Sequence, residues 1–468
     1  MAILVVILLI LVSAGIYKPV YGYMFYIAIR LCLPTSIRIM NFSYNTIAFL
    51  LLMACVLPEC IRRFKLLTSW KYKFVVNFFY FAASLLGLSI LSTFVSIVPW
   101  QYQLSKLAQM VYTELLPAIM LVIILQRRDI RLFNNLLAVC ALYSLLYAIF
   151  TFVTQTNPIY EMFYTAEEQM IDAASNSRNG MLDGVAVGIY NNKISMSLMS
   201  LLYFIYFFNK NNASNILIST VVILAFIVTF LTSQRSAILS ELLFGTYMIF
   251  RSKMEMRSVY IWGGLFFVVS IVLLMYLNQF DKIGGVFKST FLIFDDKAQQ
   301  DLGVSGSTVE LRIKQYLTVF DMIKSNLFWG MGYGFTSYFY EVIWNAKAYG
   351  LRDDVAGFES IFLPILLNTG FLGLLMWSRM FLGILRILRS QCTTKFQRCY
   401  TDAFMLTYLL VVTLTDTSGS MFLFFLFCAM NKYSVRKTNN KIIETLLKVK
   451  LLIFAMNYSS KTESSSYK

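Results

Sequence analysis

Apolar segments separated by short polar stretches run along almost the whole chain. Many are about as long as the ~20 residues with which an α-helix crosses a bilayer core. The pattern predicts roughly 12–13 membrane-spanning helices, the count being open by one or two at the amino end. They fall at 2–16, 20–33, 46–57, 74–98, 107–125, 133–153, 194–208, 216–231, 237–250, 259–277, 361–385, 403–414 and 421–430.

This pattern predicts an all-α, polytopic integral membrane protein with one large extracytoplasmic loop. Hydrophobic residues make up 58% of the 468 positions and charged residues 14%, which excludes a soluble enzyme. The first apolar segment has no basic flank and no small-residue cleavage site, so we interpret it as a retained helix. Four regions follow: transmembrane helices at 1–277, a large loop at 278–358, further transmembrane helices at 359–432 and a basic tail at 433–468.

The formal net charge of +16 does not indicate a nucleic-acid partner, because the basic residues are clustered beside the spans. Such clusters mark cytoplasmic loops under the positive-inside rule. We therefore expect the clusters and the tail to be cytoplasmic. They lie at 62–73, 127–131, 251–257, 386–398 and after 432.

Two loops depart from this charge pattern. The stretch 154–192 has five acidic residues and one basic residue, and 278–358 has nine acidic and eight basic residues. Both loops are therefore predicted to be extracytoplasmic. Neither contains a cysteine, so a disulfide within them is excluded.

The large loop contains a predicted amphipathic helix. Arg312 falls near its apolar stripe, where an arginine needs a partner, because burying a lone charge is costly. Two interpretations stay open: a structural arginine that snorkels or pairs with a carboxylate, and a functional cation. The stripe consists of Val309, Ile313, Tyr316, Leu317, Phe320, Ile323 and Leu327.

Candidate chemistry in this chain has to use arginine, carboxylate and tyrosine, because the sequence has no histidine. Histidine metal sites and Ser-His-Asp triads are thereby excluded, and we predict neither metal nor cofactor. Arg235 lies in a turn between two spans. Glu241 lies within a span, where an ionisable residue is either functional or part of a structural ion pair. Gly330, Gly332 and Gly334 follow a helix and predict a tight turn rather than a nucleotide-binding loop.

At these residues the sequence resembles the O-antigen ligase and polymerase family (Wzy-type) of bacterial envelope polysaccharide synthesis. Three blocks carry the resemblance in order. They are the turn SQRSA around Arg235, the helix with Arg312 followed by NLFWGMGYGF, and Glu359 followed by LPILLNTGFLGLL. Ser236 stands where the family usually has glycine, and Phe328-Trp329 where proline is frequent. Ligases carry histidine in the third block, so Glu359 favours a polymerase.

The resemblance implies a metal-independent glycosyltransferase in the bacterial cytoplasmic (inner) membrane. It would join polyprenyl-pyrophosphate-linked repeat units into O-antigen, capsule or exopolysaccharide on the outer face. Arg235 and Arg312 would bind pyrophosphate, since the guanidinium fork suits phosphate oxygens. Glu359 would be the general base, or else a carboxylate that only favours a helix dipole.

Three further residues are candidate substrate-binding residues. Arg178 would contact glycan or pyrophosphate, Glu241 would face the substrate, and Tyr333 would stack on sugars or line the membrane interface. The implied partners are the lipid-linked glycan, the bilayer, a chain-length regulator and a flippase, and no nucleic acid. A ligase acting on another acceptor, and a lipid-linked oligosaccharide flippase or transporter, stay open as alternatives.

Overall fold

We describe the protein from a computed structural model. It describes residues 2–34, 37–39, 42–163, 186–190, 192–208, 216–232, 234–252, 309–339, 360–414 and 421–430. The predictions for the span at 259–277, for most of both acidic loops and for the tail lie outside the described residues.

The described chain is almost entirely helical. Two two-residue strands, β1 (Arg38–Ile39) and β2 (Phe42–Ser43), form an antiparallel pair between the second and third helices. The α-helices of the described residues are α1 (Ala2–Tyr17), α2 (Pro19–Cys32), α3 (Tyr44–Phe64), α4 (Ser69–Ser92), α5 (Trp100–Met110), α6 (Leu116–Ile124), α7 (Ile130–Thr154), α8 (Pro158–Phe163), α9 (Lys193–Phe208), α10 (Ile216–Leu231), α11 (Arg235–Ser252), α12 (Val309–Met322), α13 (Phe335–Tyr338), α14 (Phe362–Arg389), α15 (Lys395–Leu414) and α16 (Met421–Met430).

Five helical stretches are long and apolar enough to cross a membrane: α3, α4, α5 to α6, α7 and α14. Four shorter apolar helices, α1, α9, α10 and α16, accompany them. The prediction of an all-α polytopic membrane protein is therefore confirmed. Helix α4 ends at Ser92 and not at Val98 as predicted, because residues 93–99 form turns that lead into α5 at Pro99.

The core is organised around α16. From Phe422 to Met430 each of its side chains is at most 2% exposed, so this short helix is enclosed by the others. Its rings meet Tyr26 of α2, Phe78 of α4 and Tyr206 of α9. Aromatic packing of this kind suits a membrane interior, where shape complementarity holds helices together.

Basic side chains gather at one end of the helix bundle, which we call the basic end. Lys18 Nζ lies 3.3 Å from Asp129 Oδ1, and Lys71 Nζ donates to Leu125 O at 2.9 Å. Lys71 thereby satisfies a carbonyl that α6 leaves free at its carboxyl end. The carboxyl end of α14 lies at the same end, because Phe81 of α4 contacts Trp377 and Asn77 donates to Met380 O, an antiparallel order.

The opposite end carries the start of α3, the end of α4 and the start of α5, and we call it the loop end. Residues 93–99, the start of α14 and the turn at Gly330 all lie there. The described part of the large loop, 309–339, therefore meets the membrane helices at the end away from the basic side chains.

Candidate active site around a broken helix

Helix α14 is interrupted at Gly370, eight residues after Phe362. Gly370 has φ 60° and ψ −163°, a backbone conformation that is essentially restricted to glycine. A break of this kind leaves carbonyls free on one side and N–H groups free on the other. Broken helices in membrane proteins are tolerated where other parts of the protein satisfy these groups.

The turn predicted from Gly330, Gly332 and Gly334 fills the break. Met331 N donates to Leu367 O at 2.7 Å, and Gly332 N donates to Asn368 O at 3.1 Å. These bonds satisfy two carbonyls on the amino-terminal side of the break. All three glycines have positive φ, which confirms the tight turn.

Bonds in the other direction complete the contact. Phe371 N donates to Leu327 O at 3.1 Å, and Leu372 N donates to Phe328 O at 3.2 Å. The two segments 327–332 and 367–372 thus exchange four backbone hydrogen bonds. A Cβ atom on Gly370 would lie 2.5 Å from the Phe328 backbone, so no other side chain fits this crossing. We call this arrangement the loop–helix crossing.

Side chains from the 93–99 turns, α5 and α14 fix the turn further. Ser96 Oγ donates to Met331 O at 2.6 Å. Gln103 is buried, and its Oε1 accepts from the N–H of Tyr333 at 3.1 Å. Thr336 N donates to Asn368 Oδ1 at 3.0 Å. Tyr333 therefore sits in a fixed turn, and burial raises the pKa of its hydroxyl above the ordinary value.

Helix α12 packs on the part of α14 that precedes the break. Val319 and Ile323 have no exposed surface and belong to one apolar cluster with Leu363, Leu366 and Leu367. Arg312 lies on α12 seven residues before Val319, and its side chain is outside the described residues. The predicted apolar stripe was partly wrong, because Ile313, Leu317 and Phe320 are exposed.

Arg235 is the first residue of α11, and its side chain is also outside the described residues. Helices α11 and α15 pack together. They run antiparallel, because Cys399 Sγ near the start of α15 donates to Arg251 O near the end of α11, at 3.5 Å. Val412, near the end of α15, accepts from the N–H of Ile361 at 2.9 Å. The starts of α11 and α14 therefore lie at the same end of the bundle.

Glu241 lies inside α11 and is 2% exposed. Neither carboxylate oxygen accepts a hydrogen bond from the part of the chain that the structure describes. A buried carboxyl without such partners is costly, and within a span it indicates a functional role or a partner elsewhere. Six residues, or ~9 Å of helix, separate it from Arg235.

Two predicted site residues, Arg178 and Glu359, lie outside the described residues. The described neighbour of Glu359 is Ser360, which is buried and whose Oγ accepts from the N–H of Phe362 at 3.3 Å. Tyr333, Glu241 and the backbones of Arg235 and Arg312 are thus the parts of the predicted site that the structure describes.

Sequence reasoning missed an ion pair inside the membrane bundle. Arg30 Nη2 of α2 lies 3.2 Å from Glu114 Oε1, and both side chains are at least nine-tenths buried. Glu114 belongs to a π-helical turn, Val111–Leu115, between α5 and α6. Arg30 in the second span was the visible signal, but nothing nearby in sequence points to its partner.

A model of the O-antigen ligase family matches residues 220–378. This match supports an O-antigen ligase/polymerase-type family for the chain. The resemblance drawn from the three sequence blocks is confirmed at this level. The matched region includes the loop–helix crossing, Arg235, Glu241, Arg312, Tyr333 and Glu359, whereas Arg178 and the Arg30–Glu114 pair lie before it. A comparison with curated proteins finds no match.

Proposed function

We propose that this protein polymerises polyprenyl-pyrophosphate-linked oligosaccharide repeat units. The family match supports activity of the O-antigen ligase/polymerase type. The polymerase assignment rests on Glu359, which stands where ligases carry histidine in the third sequence block.

One observation carries the proposal: the cluster that joins α12 to the start of α14. Arg312 is seven residues before Val319, ~10 Å along the helix. Glu359 is four residues before Leu363, so chain connectivity keeps it within ~14 Å of that residue. Val319 and Leu363 share the cluster, which supports a site to which both candidates contribute.

The proposed reaction is a single displacement at the anomeric carbon. A hydroxyl of the incoming repeat unit attacks that carbon, the bond from the carbon to the pyrophosphate oxygen breaks, and the pyrophosphate carrier leaves. Arg235 and Arg312 stabilise the negative charge on the leaving group through bidentate hydrogen bonds. Glu359 accepts the proton of the attacking hydroxyl. The bonds, the charge and the proton of this reaction balance without a metal or cofactor.

The remaining candidates bind substrate in this proposal. Tyr333, fixed at the crossing, offers a ring to a sugar, and Glu241 faces the substrate from within α11. Arg178 in the first loop contacts glycan or pyrophosphate. A flippase that delivers repeat units and a chain-length regulator are the proposed protein partners.

We place the protein in the bacterial inner membrane with the loop end outside and the tail inside. The support is that the basic clusters gather at the opposite end of the bundle, as the positive-inside rule expects of cytoplasmic loops. An impermeant thiol reagent that labelled a cysteine at Ser434, and not one at Ser305, in intact cells would contradict this orientation.

The test of the function uses purified protein in proteoliposomes with a carrier-linked repeat unit, and gel analysis of product length. Arg312→Lys should lower turnover roughly 10²-fold, because lysine retains the charge without the bidentate fork. Lys314→Ala, on the same helix, is the matched control and should retain full-length polymer. Full polymer from the Arg312→Lys variant would exclude pyrophosphate binding by this residue.

A ligase is the second candidate, and the description of the matched family favours it. The same assay separates the two activities. A polymerase produces a ladder of carrier-linked chains from repeat units alone. A ligase produces no ladder and transfers a preformed chain once, when another acceptor is added.

A further inference from the structure

One face of helix α12 packs on the protein, and a second face, which is apolar, is exposed in the part of the chain that the structure describes. Gln315, Thr318 and Val319 are at most 6% exposed and face the body of the protein. Ile313, Leu317 and Phe320 are 55%, 65% and 42% exposed. At ~100° per residue these three fall within about 60° of one another, so they form one narrow stripe.

The exposed stripe continues into the loop–helix crossing. Leu327 and Phe328, which accept the two bonds from the carboxyl-terminal part of α14, are also exposed, Phe328 by 61%. Large apolar side chains that are exposed next to one another mark an interaction surface and are unusual on a face in contact with water. We call these five residues the α12 patch: Ile313, Leu317, Phe320, Leu327 and Phe328.

The depth of the patch follows from α14. From Phe371 to Arg389 the helix has roughly 19 residues, which at ~1.5 Å each span ~28 Å, the thickness of a bilayer core. The break at Gly370 therefore coincides with one surface of that core. The rings of Phe320 and Phe371 lie 6.4 Å apart, which puts the stripe at the same level.

Neighbouring side chains at this level have interfacial character. Phe94 and Trp100, on either side of the 93–99 turns, are 86% and 54% exposed. Asn326 Nδ2 donates to Val95 O at 3.4 Å, so these turns adjoin the patch. Leu375, one turn below Phe371 on α14, is 64% exposed and continues the apolar surface into the core. Tryptophan at this depth is typical of membrane interfaces.

We propose that the α12 patch is a lipid-docking surface, on which acyl chains of the bilayer pack while α12 lies along the membrane surface. The occupant is bilayer lipid because the patch is continuous with the lipid-facing side of α14. Lys324, exposed at the end of the stripe, can extend its ammonium toward headgroups. The inference goes beyond the proposed function and holds for either transferase activity.

The test places the photoreactive residue benzoylphenylalanine at Leu317 in the full-length protein. The protein is reconstituted in nanodiscs that contain phospholipid of one acyl composition and no polyprenyl carrier. Asp321, exposed on the charged side of the same helix, is the matched control position. After irradiation, mass spectrometry should show phospholipid adducts at Leu317 roughly fivefold or more above those at Asp321.

Each other outcome overturns the proposal. Covalent dimers from position 317 would show that a second copy of the chain covers the patch. Equal, low adduct yields at the two positions would show that water covers it. The same measurement at Phe320 guards against a local effect of the probe, since both side chains are already exposed and their replacement leaves the packed face of α12 intact.

Discussion

Two helices in the described part of the chain are interrupted inside the bundle, and the free backbone groups are satisfied in different ways. At the first interruption Pro117 follows the π-helical turn and has no N–H to give to Thr113 O. The Arg30 side chain supplies the donor, from Nη1 at 2.5 Å. At the second interruption, Gly370, the backbone of the distant 327–332 turn supplies both donors and acceptors.

The two interruptions therefore differ in what they do for the segments around them. A side chain can satisfy a carbonyl without tying any loop to the site, and Arg30 is itself held by Glu114, Tyr26 and the Phe422 ring. Backbone hydrogen bonds in both directions fix the 327–332 turn to α14, so the two segments have to move together. The first interruption therefore stabilises the bundle, whereas the second fixes the large loop relative to a membrane helix.

Replacing Gly370 by alanine should give the largest effect. The residue would be forced into a glycine-only backbone region, and its Cβ would overlap the Phe328 backbone. We expect a loss of roughly 5 kcal/mol or more, so that the crossing opens and product formation is abolished. The measurement is polymer or ligation product in proteoliposomes, together with protease sensitivity of the large loop.

Gly87→Ala in α4 is the matched control, because a Cβ at Gly87 meets no atom within 4 Å. Alanine in an exposed helix interior is neutral or slightly stabilising. If Gly370→Ala left both product and protease resistance at the level of Gly87→Ala, the crossing would not hold the loop.

Breaking the Arg30–Glu114 pair should give the second largest effect. It should lower the stability of the fold and leave substrate specificity unchanged. Arg30→Met leaves a buried carboxylate and the Thr113 carbonyl without their donor, which costs ~3–5 kcal/mol. The double variant Arg30→Met/Glu114→Met removes the unpaired charge and should recover most of the lost thermal stability in detergent. Additive losses in the double variant would show that the two side chains do not interact.

Sequence reasoning predicted most of the helices because hydrophobic length alone defines a membrane span. It could not predict their breaks. Arg30 and Thr113 are 83 positions apart, and only the folded bundle brings them together. The glycines from Gly330 to Gly334 indicated a turn. Nothing in the pattern indicated that this turn binds at Gly370, inside an apolar helix.

The roles of the candidate site residues stay predictions. The blocks around Arg235 and Arg312 fall in the matched family region, and the structure puts the start of α11 and the turn that follows α12 at the loop end. The packed side of α12 was misjudged, because hydrophobicity marks every apolar face and does not say whether protein or another surface covers it. Ile313 and Leu317 show this directly, since both are apolar and both are exposed.

Replacing Ser96 by alanine should give the smallest effect, and it tests how much the side-chain contacts add to the crossing. The Ser96 hydroxyl donates to Met331 O, and its oxygen accepts from the N–H of Val98. Four backbone hydrogen bonds remain at the crossing, so the loss should be about 1 kcal/mol, seen as a lower thermal midpoint with near-normal product. Thr93→Ala is the matched control, because among the described residues Thr93 Oγ1 donates locally, to Ser89 O, four residues earlier in α4. Protease sensitivity of the large loop should rise for Ser96→Ala and not for Thr93→Ala. Equal sensitivity in the two variants would mean that the four backbone hydrogen bonds alone hold the loop. The second interruption would then differ fully from the first, where the Arg30 side chain supplies the donor.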